Sequence, residues 1–536
     1  MHHRPDPVVT TGRGAVRGLR QDDGTLAFHG IPYAAPPRGG GRFTAPRPHP
    51  PWSGVRDATA PGPTAPQSAR SLGGVDMSPY FAPGWVRGED YLTVDVRTPA
   101  APGVPGAPGS PGTAGTPGTP DSPGTPDSPG TPDTPGTLKA AEHGLPVMVF
   151  VHGGGFVAGS TRSPLYDGTA FARDGVVLVT VNHRLGIAGF LDLPGAPANR
   201  GLLDVIAALR WVRANIAAFG GDPRNVTLFG QSAGATLVGG VLAAPEATGL
   251  LRRAIVQSGS GLGAFTPEQA ARVTAAAAGI LGVAPHADGF AGLPDEHLVE
   301  AAAGLAGIDL RTATDHDPLM GLSPFGPVLG TQPARSVAAG LGSGVDLLIG
   351  TNSEEGNLYL VPVDAYARST DADVHDTAAR AHPDPDRLVA AHRTARPGAS
   401  PGALRSAVLG DALFGAGSRA LAEAHAAHPG SNTYAYEFTW RSTALGGALG
   451  AAHAVELPFV FDRVHLPALR GADGLLGPAE PPAGLAARMH GAWIRFARTG
   501  DPGWDPYGTG RRTTMRIGAE WTQADDPHRA ERLAWT

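Results

Sequence analysis

The chain has 536 residues, 41% hydrophobic and 17% charged, with a formal net charge of −6 at pH 7. This composition suits a globular protein, and the small negative charge, with no basic run, argues against a nucleic-acid surface. Cysteine is absent, which excludes disulfides, thiolate catalysis and Cys-ligated metals. The N-terminal residues carry no apolar signal core and no stretch stays apolar for ~18 residues, so a cytoplasmic protein without a membrane span is expected.

Residues 91–96 alternate as a strand does. Residues 145–151 form a near-continuous apolar run of the kind found in a buried central strand. Between them, residues 102–136 are almost entirely Pro, Gly, Thr, Ser, Ala and Asp, with a period of three. Asp121, Asp127 and Asp133 interrupt the glycine register that a collagen triple helix requires. With no apolar residues to bury, the segment reads as a disordered loop leaning to polyproline II. Its place between two successive strands suggests an expanded hairpin connection.

Further along, residues 176–181 read as a strand, 202–219 as a helix with an apolar face, and 225–229 as a short buried strand. Residues 254–258 and 346–350 are further strand candidates. This alternation favours a largely parallel sheet covered on both faces. Residues 267–335 and 364–428 are Ala-rich and look helical, which makes them candidate insertions or a cap. Residues 486–498 read as a terminal amphipathic helix.

The strand at 225–229 runs into Gly230-Gln231-Ser232-Ala233-Gly234, which matches Gly-x-Ser-x-Gly, followed by an apolar segment that can open a helix. Strand, sharp turn and helix form the context in which such a serine is lifted clear of the backbone as a nucleophile. A serine hydroxyl is weak unless a base takes its proton and donors receive the developing oxyanion. Candidate donors follow the strand at 145–151, in His152-Gly153-Gly154-Gly155-Phe156. There the N–H groups of Gly154 and Gly155 can turn toward a substrate oxygen without an intervening Cβ, and the N–H of Ala233 would join them.

Nineteen histidines leave composition unable to choose the base. The chain order Ser, acid, His that accompanies this elbow makes His453, which follows small residues beside an apolar run, one candidate, although a lone His so placed is more often structural. The order also points to an acid on the loop after residues 346–350, where Glu354 and Glu355 both stand. Chemistry alone does not choose between them.

These residues resemble the type-B carboxylesterase family, which includes the cholinesterases. The likeness begins at Phe28-His29-Gly30-Ile31-Pro32-Tyr33-Ala34-Ala35-Pro36-Pro37 and Gly41-Arg42-Phe43. It continues at Glu89-Asp90-Tyr91-Leu92, where Tyr91 replaces the family's cysteine, then through Asn182-His183-Arg184, Gly201-Leu202-Leu203-Asp204 and Phe219-Gly220-Gly221-Asp222-Pro223. It extends past the elbow through Gln257-Ser258-Gly259 and Glu354-Glu355-Gly356 to His453.

The resemblance implies a single α/β-hydrolase domain over 1–536: a mostly parallel sheet, helices on both faces and helical insertions forming a cap. It implies a cofactor-free, metal-free serine esterase acting on small-molecule esters through an acyl-enzyme. Carried over by position, the nucleophile falls on Ser232, the acid on Glu355 and the base on His453. The oxyanion donors fall on Gly154, Gly155 and Ala233, and Ser258 and Glu456 match positions near the triad. Ion pairs of Arg42 with Glu89 and of Arg184 with Asp204 are also implied. Ala454, where cholinesterases have Gly, fits bacterial esterases of the para-nitrobenzyl type. A non-catalytic binding protein on the same fold and an amidase using the same triad are the competing readings.

The Pro/Gly segment enters the N-terminal end of the strand at 145–151, and the candidate oxyanion glycines leave its C-terminal end, roughly 23 Å away at ~3.3 Å per residue. Deletion of residues 102–136 is therefore expected to leave kcat/KM for p-nitrophenyl esters nearly unchanged, and a large fall in kcat would show that the segment reaches the site.

Overall fold

The computed structural model describes residues 6–99 and 144–536; the Pro/Gly segment at 102–136 lies outside the described residues. The strands begin with β1 (Val8–Thr11), β2 (Gly14–Arg17), β3 (Leu19–Arg20), β4 (Leu26–Pro32) and β5 (Val55–Asp57). They continue with β6 (Thr93–Thr98), β7 (Leu145–Val151), β8 (Val177–Val181), β9 (Gly221–Gln231), β10 (Arg253–Gln257) and β11 (Asp346–Asn352). The last three are β12 (Thr433–Phe438), β13 (Thr513–Ile517) and β14 (Trp521–Asp525).

β1, β2 and β5 make a small sheet, and the other strands form one 11-stranded sheet in the order β14-β13-β12-β11-β10-β9-β7-β8-β6-β4-β3. From β8 to β13 every neighbouring pair is parallel, and antiparallel steps appear only toward the two edges.

Strand alternation divides the core. Val147, Val149 and Val151 of β7 face one apolar cluster, which includes Leu202, Val205 and Leu209 of the helix Arg200–Asn215. Met148 and Phe150 face the other, which includes Met489, Trp493 and Phe496 of the helix Leu485–Thr499. Because successive side chains of a strand point to opposite faces, the near-continuous apolar run of β7 means that both faces are covered.

Three sequence expectations change. The strands at 91–96 and 145–151 are not hairpin partners: β8 lies between β6 and β7, antiparallel to the first and parallel to the second. An alternating strand followed by an apolar strand does not distinguish a hairpin from a crossover, because pairing is decided by which neighbours bury each face. The helix expected over 202–219 is α-helical over Arg200–Asn215 and ends in a 3-10 turn at Ile216–Phe219. Arg42 does not pair with Glu89. Its guanidinium turns to Asp295 at 3.1 Å and donates to the Leu293 carbonyl, while Glu89 pairs with Arg38.

The Ala-rich regions carry the helices Pro267–Leu281, Ala287–Ala291 and Asp295–Gly304, and then a second group from Asp371–Ala381 to Ala416–Ala426. A π-helical turn at Asp411–Gly415 joins two helices of the second group. No helix among the described residues is long and apolar enough to cross a membrane.

The Arg184–Asp204 pair is present and almost fully enclosed, the two side chains being 1% and 0% exposed. Asp204 accepts from Arg184 Nε at 2.9 Å, Nη2 at 2.7 Å and the backbone N–H at 3.0 Å. Arg184 Nη1 donates to the carbonyls of Arg42 and Thr44, which ties the N-terminal segment to β8 and the helix Arg200–Asn215. Removing one partner of such a pair strands a buried charge. Asp204→Ala is expected to lower stability by about 3–5 kcal/mol, read as a fall in urea midpoint, and the joint replacement Arg184→Met/Asp204→Leu is expected to cost less than the single change.

Candidate active site

The parallel strands deliver the chemistry at their C-terminal ends. β9 runs directly into Ser232, which has φ 58° and ψ −125° and precedes the helix Ala233–Leu242. A non-glycine residue at positive φ is strained. It is held here by two backbone bonds: its N–H donates to the Gln257 carbonyl at 2.9 Å, and its carbonyl accepts from Thr236. The turn also needs close backbone contact, since a Cβ on Gly234 would lie 2.1 Å from the Val151 carbonyl oxygen. The glycine thus lets the elbow press against the end of β7.

The loop leaving β7 lies beside it. Gly154 has φ 117°, and a Cβ there would meet the Ala158 carbonyl oxygen at 2.1 Å, so only glycine fits. The N–H groups of Gly154 and Gly155 donate to no acceptor among the described residues. Ala233 is the first residue of its helix, and its N–H is one of those a helix leaves without an internal partner. The Gly155 carbonyl accepts from Ser323 Oγ at 2.6 Å, which fixes that peptide. Below the loop, His152 and His183 stack with centroids 4.6 Å apart. Burial, then the neighbouring ring, pushes His152 down to about 3, and burial pushes His183 down to about 4. Both are neutral at pH 7 and set the loop without adding charge.

Glu355 follows β11 and is 4% exposed. Its carboxylate accepts from Ser258 Oγ at 2.5 Å and from the Asn352 backbone N–H at 2.7 Å through one oxygen, and contacts His453 Nδ1 at 2.6 Å through the other. Glu354 turns away, accepting from the Ala451 N–H at 2.8 Å and pairing with Arg441.

Ser232, His453, Gly154, Gly155 and Ala233 line one cavity of about 70 Å³. The Ser232 hydroxyl makes no hydrogen bond to His453; the Gln231 side-chain amide lies 3.2 Å from His453 Nε2 instead. Such contacts are often open before substrate binds. With Nδ1 donating to Glu355, Nε2 carries the ring's lone pair, which the Gln231 amide meets in this structure.

Glu456 is fully buried and accepts from Asn352 Nδ2 at 2.7 Å and Gln257 Nε2 at 3.3 Å. Burial, reinforced by the nearby Glu355 carboxylate, pushes it up to about 7. The sequence motifs did not mark the cavity's other walls. Phe414, on the π-helical turn, stacks on the His453 ring with centroids 4.3 Å apart and planes 7° apart, and Tyr359 lies 5.8 Å from it. Arg70 and Leu322 also line the cavity. They come from irregular segments or helices whose register against the site is set by tertiary packing; an aromatic near the end of an Ala-rich helix was the sole local signal for Phe414.

Among the described residues no group of three His, Asp or Glu side chains could hold a metal ion. The sequence profile of the Carboxylesterase family matches residues 5–535. The para-nitrobenzyl esterase of Bacillus subtilis (strain 168) is 34% identical, over 98% of this chain and 97% of its own. The phenmedipham hydrolase of Pseudarthrobacter oxydans is 34% identical, over 92% and 90%. Among solved structures, a Geobacillus stearothermophilus carboxylesterase superposes with a TM-score of 0.79 at 33% identity, covering 99% of this chain and 100% of the other. A PNB esterase gives 0.78 at 33% with the same coverage. With the elbow, the glycine loop and the Glu355–His453 pair all at the C-terminal edge of one α/β-hydrolase sheet, the chain belongs to the carboxylesterase family and is a carboxylic ester hydrolase.

Proposed function

We propose that the protein hydrolyses small-molecule carboxylic esters through an acyl-enzyme on Ser232. His453 Nε2 takes the hydroxyl proton as Ser232 Oγ attacks the ester carbonyl. The N–H groups of Gly154, Gly155 and Ala233 receive the oxyanion of the tetrahedral intermediate. When that intermediate collapses, the imidazolium gives its proton to the leaving alcohol. Water then repeats the cycle on the acyl group and releases the acid. Glu355 holds the Nδ1–H tautomer and stabilises the transient imidazolium.

The observation that carries this reading is the 2.6 Å contact of His453 Nδ1 with Glu355, in a cavity shared with Ser232 and three N–H groups that have no acceptor among the described residues. Each oxyanion donor is worth ~2.7–4 kcal/mol of barrier. Ser258 and Asn352 complete the carboxylate's shell and keep it oriented. Burial, and then the Glu355 carboxylate, raise Glu456 to about 7, so it is largely protonated only below neutral pH.

Ser232→Ala is expected to lower kcat for p-nitrophenyl acetate by about 10⁴-fold or more with an unchanged circular-dichroism spectrum. Retention of most activity would remove Ser232 from the nucleophile's role. Mass spectrometry after organophosphate treatment should find a single adduct on Ser232 in the wild type and none in the variant.

Glu456 also makes stability depend on pH. Its folded pKa lies above its unfolded value of 4.5, so the native state keeps a proton that the unfolded chain releases. Its contribution is full below ~4.5 and is lost as pH rises toward about 7. Relative to Glu456→Gln, the wild type is expected to lose about 1–3 kcal/mol between pH 5 and pH 8, because a tenfold difference in proton affinity between the folded and unfolded states is worth ~1.4 kcal/mol. Unfolding free energies of the two proteins that run parallel across that range would contradict it.

A further inference from the structure

A second cavity, of about 240 Å³, lies next to the one of about 70 Å³ that holds Ser232, and Arg70 and Leu322 line both. The two spaces meet at Arg70 and Leu322, so a substrate with its carbonyl at Ser232 can extend from one into the other. The larger cavity is walled mostly by apolar side chains, among them Leu185, Ile187, Leu298 and Val299. An apolar chamber of this kind accepts a hydrocarbon chain without discrimination.

Arg70 breaks that pattern. Among the described residues its guanidinium has no carboxylate within 4.0 Å and no hydrogen-bond acceptor, and its aromatic contact is the face of Phe81 at 6.0 Å. It stands hard against the glycine loop: a Cβ on Gly155 would lie 3.2 Å from Arg70 Nη1. The nearest acid on the same cavity wall, Asp295, is committed to Arg42 at 3.1 Å. Burial holds the Arg70 guanidinium below the usual arginine range, offset in part by Tyr359 but by no carboxylate. An arginine stays charged at any physiological pH and offers a fork of N–H donors that matches a carboxylate. A guanidinium without a counter-ion among the described residues, facing a ligand cavity, is a charge that a bound anion can neutralise.

We propose that Arg70 is a specificity-determining residue that selects esters bearing a carboxylate at the end of an apolar chain. The ester carbonyl sits at Ser232, the chain crosses between Arg70 and Leu322, and the carboxylate pairs with the guanidinium. This rests on the reading of Ser232 as the nucleophile.

Two matched ester pairs test it. With the anion on the acyl side, mono-p-nitrophenyl adipate is compared with p-nitrophenyl hexanoate; with the anion on the alcohol side, 6-acetoxyhexanoate is compared with hexyl acetate. Wild type, Arg70→Gln and Arg70→Lys are measured at low and high salt, with Ser232→Ala as the control for enzymic turnover. In at least one pair, Arg70→Gln is expected to lower kcat/KM for the anionic ester by about 10-fold or more while the neutral partner changes by less than about 3-fold. Arg70→Lys is expected to recover part of the loss, and added salt is expected to shrink the wild-type preference.

An equal fall for both members of a pair would mean that Arg70 acts on the oxyanion or on the fold, and would overturn the proposal. Unchanged ratios in both pairs would overturn it as well, while Ser232-dependent turnover of the neutral esters would leave the serine-esterase reading standing. Wild-type hydrolysis that survives Ser232→Ala would instead sink the nucleophile assignment, and this proposal with it.

Discussion

The contact between Glu355 and His453 is the interaction on which the site depends. An ionised carboxylate in the interior is costly unless its lone pairs are met. Glu355 meets this with three donors: the Ser258 hydroxyl, the Asn352 backbone and the imidazole. Each comes from a different part of the chain, so the carboxylate joins the end of β10, the end of β11 and the loop after β12. The same anion constrains its surroundings. Glu456, buried behind it, is pushed up to about 7 by burial and then by the Glu355 carboxylate, and accepts from Asn352.

The sheet makes this possible through adjacency. β7, β9, β10 and β11 are consecutive neighbours and all parallel, so the glycine loop, Ser232, Ser258 and Glu355 emerge side by side from one edge. In a parallel sheet the strand ends that carry loops forward lie together, which is why sites gather there. The fit between β7 and β9 is closer than side chains would allow. Gly234 presses its Cα against the Val151 carbonyl, and Gly154 turns at a φ that other residues avoid. The strained Ser232 backbone is held from both sides, by Gln257 and Thr236, so its conformation is imposed by the fold around it.

The sequence was most legible where local chemistry and fold agree. The apolar run of β7 appears with the bounds read from its residues, because a strand buried on both faces has no other pattern to show. The elbow and the glycine loop were readable for a similar reason: each motif is short, and its geometry demands those residue types. His453 was singled out by the family resemblance, since many histidines follow the acid in the chain. What was not legible depended on partners distant in the chain. The choice between Glu354 and Glu355 turns on which side chain meets His453, and the loop gives both the same local surroundings. Arg42 was expected to meet Glu89 but finds Asp295, from the helix Asp295–Gly304, in reach. β12 was missed although all six of its residues are buried, since its Glu437 reads as a surface charge until Arg516 and His528 are seen to pair with it.

The walls of the cavity show where sequence reading stops and why substrate choice begins there. Phe414 lies flat on the imidazole because a π-helical turn re-aims it, and such a turn is a local widening of the helix with no sequence signature of its own. The turn is anchored from behind: Asp411, its first residue, accepts from Trp535 Nε1 at 2.6 Å and pairs with Arg419 at 2.6 Å. A residue near the C-terminal end of the chain therefore helps to set the ring that packs on His453. The elbow serine and the glycine loop belong to short motifs under strict geometric demand. The surfaces that hold the remainder of the ester are assembled from segments far apart in the chain, each free to vary without disturbing the others. Such walls can change which ester is cleaved while the elbow, the glycine loop and the buried carboxylate stay as they are.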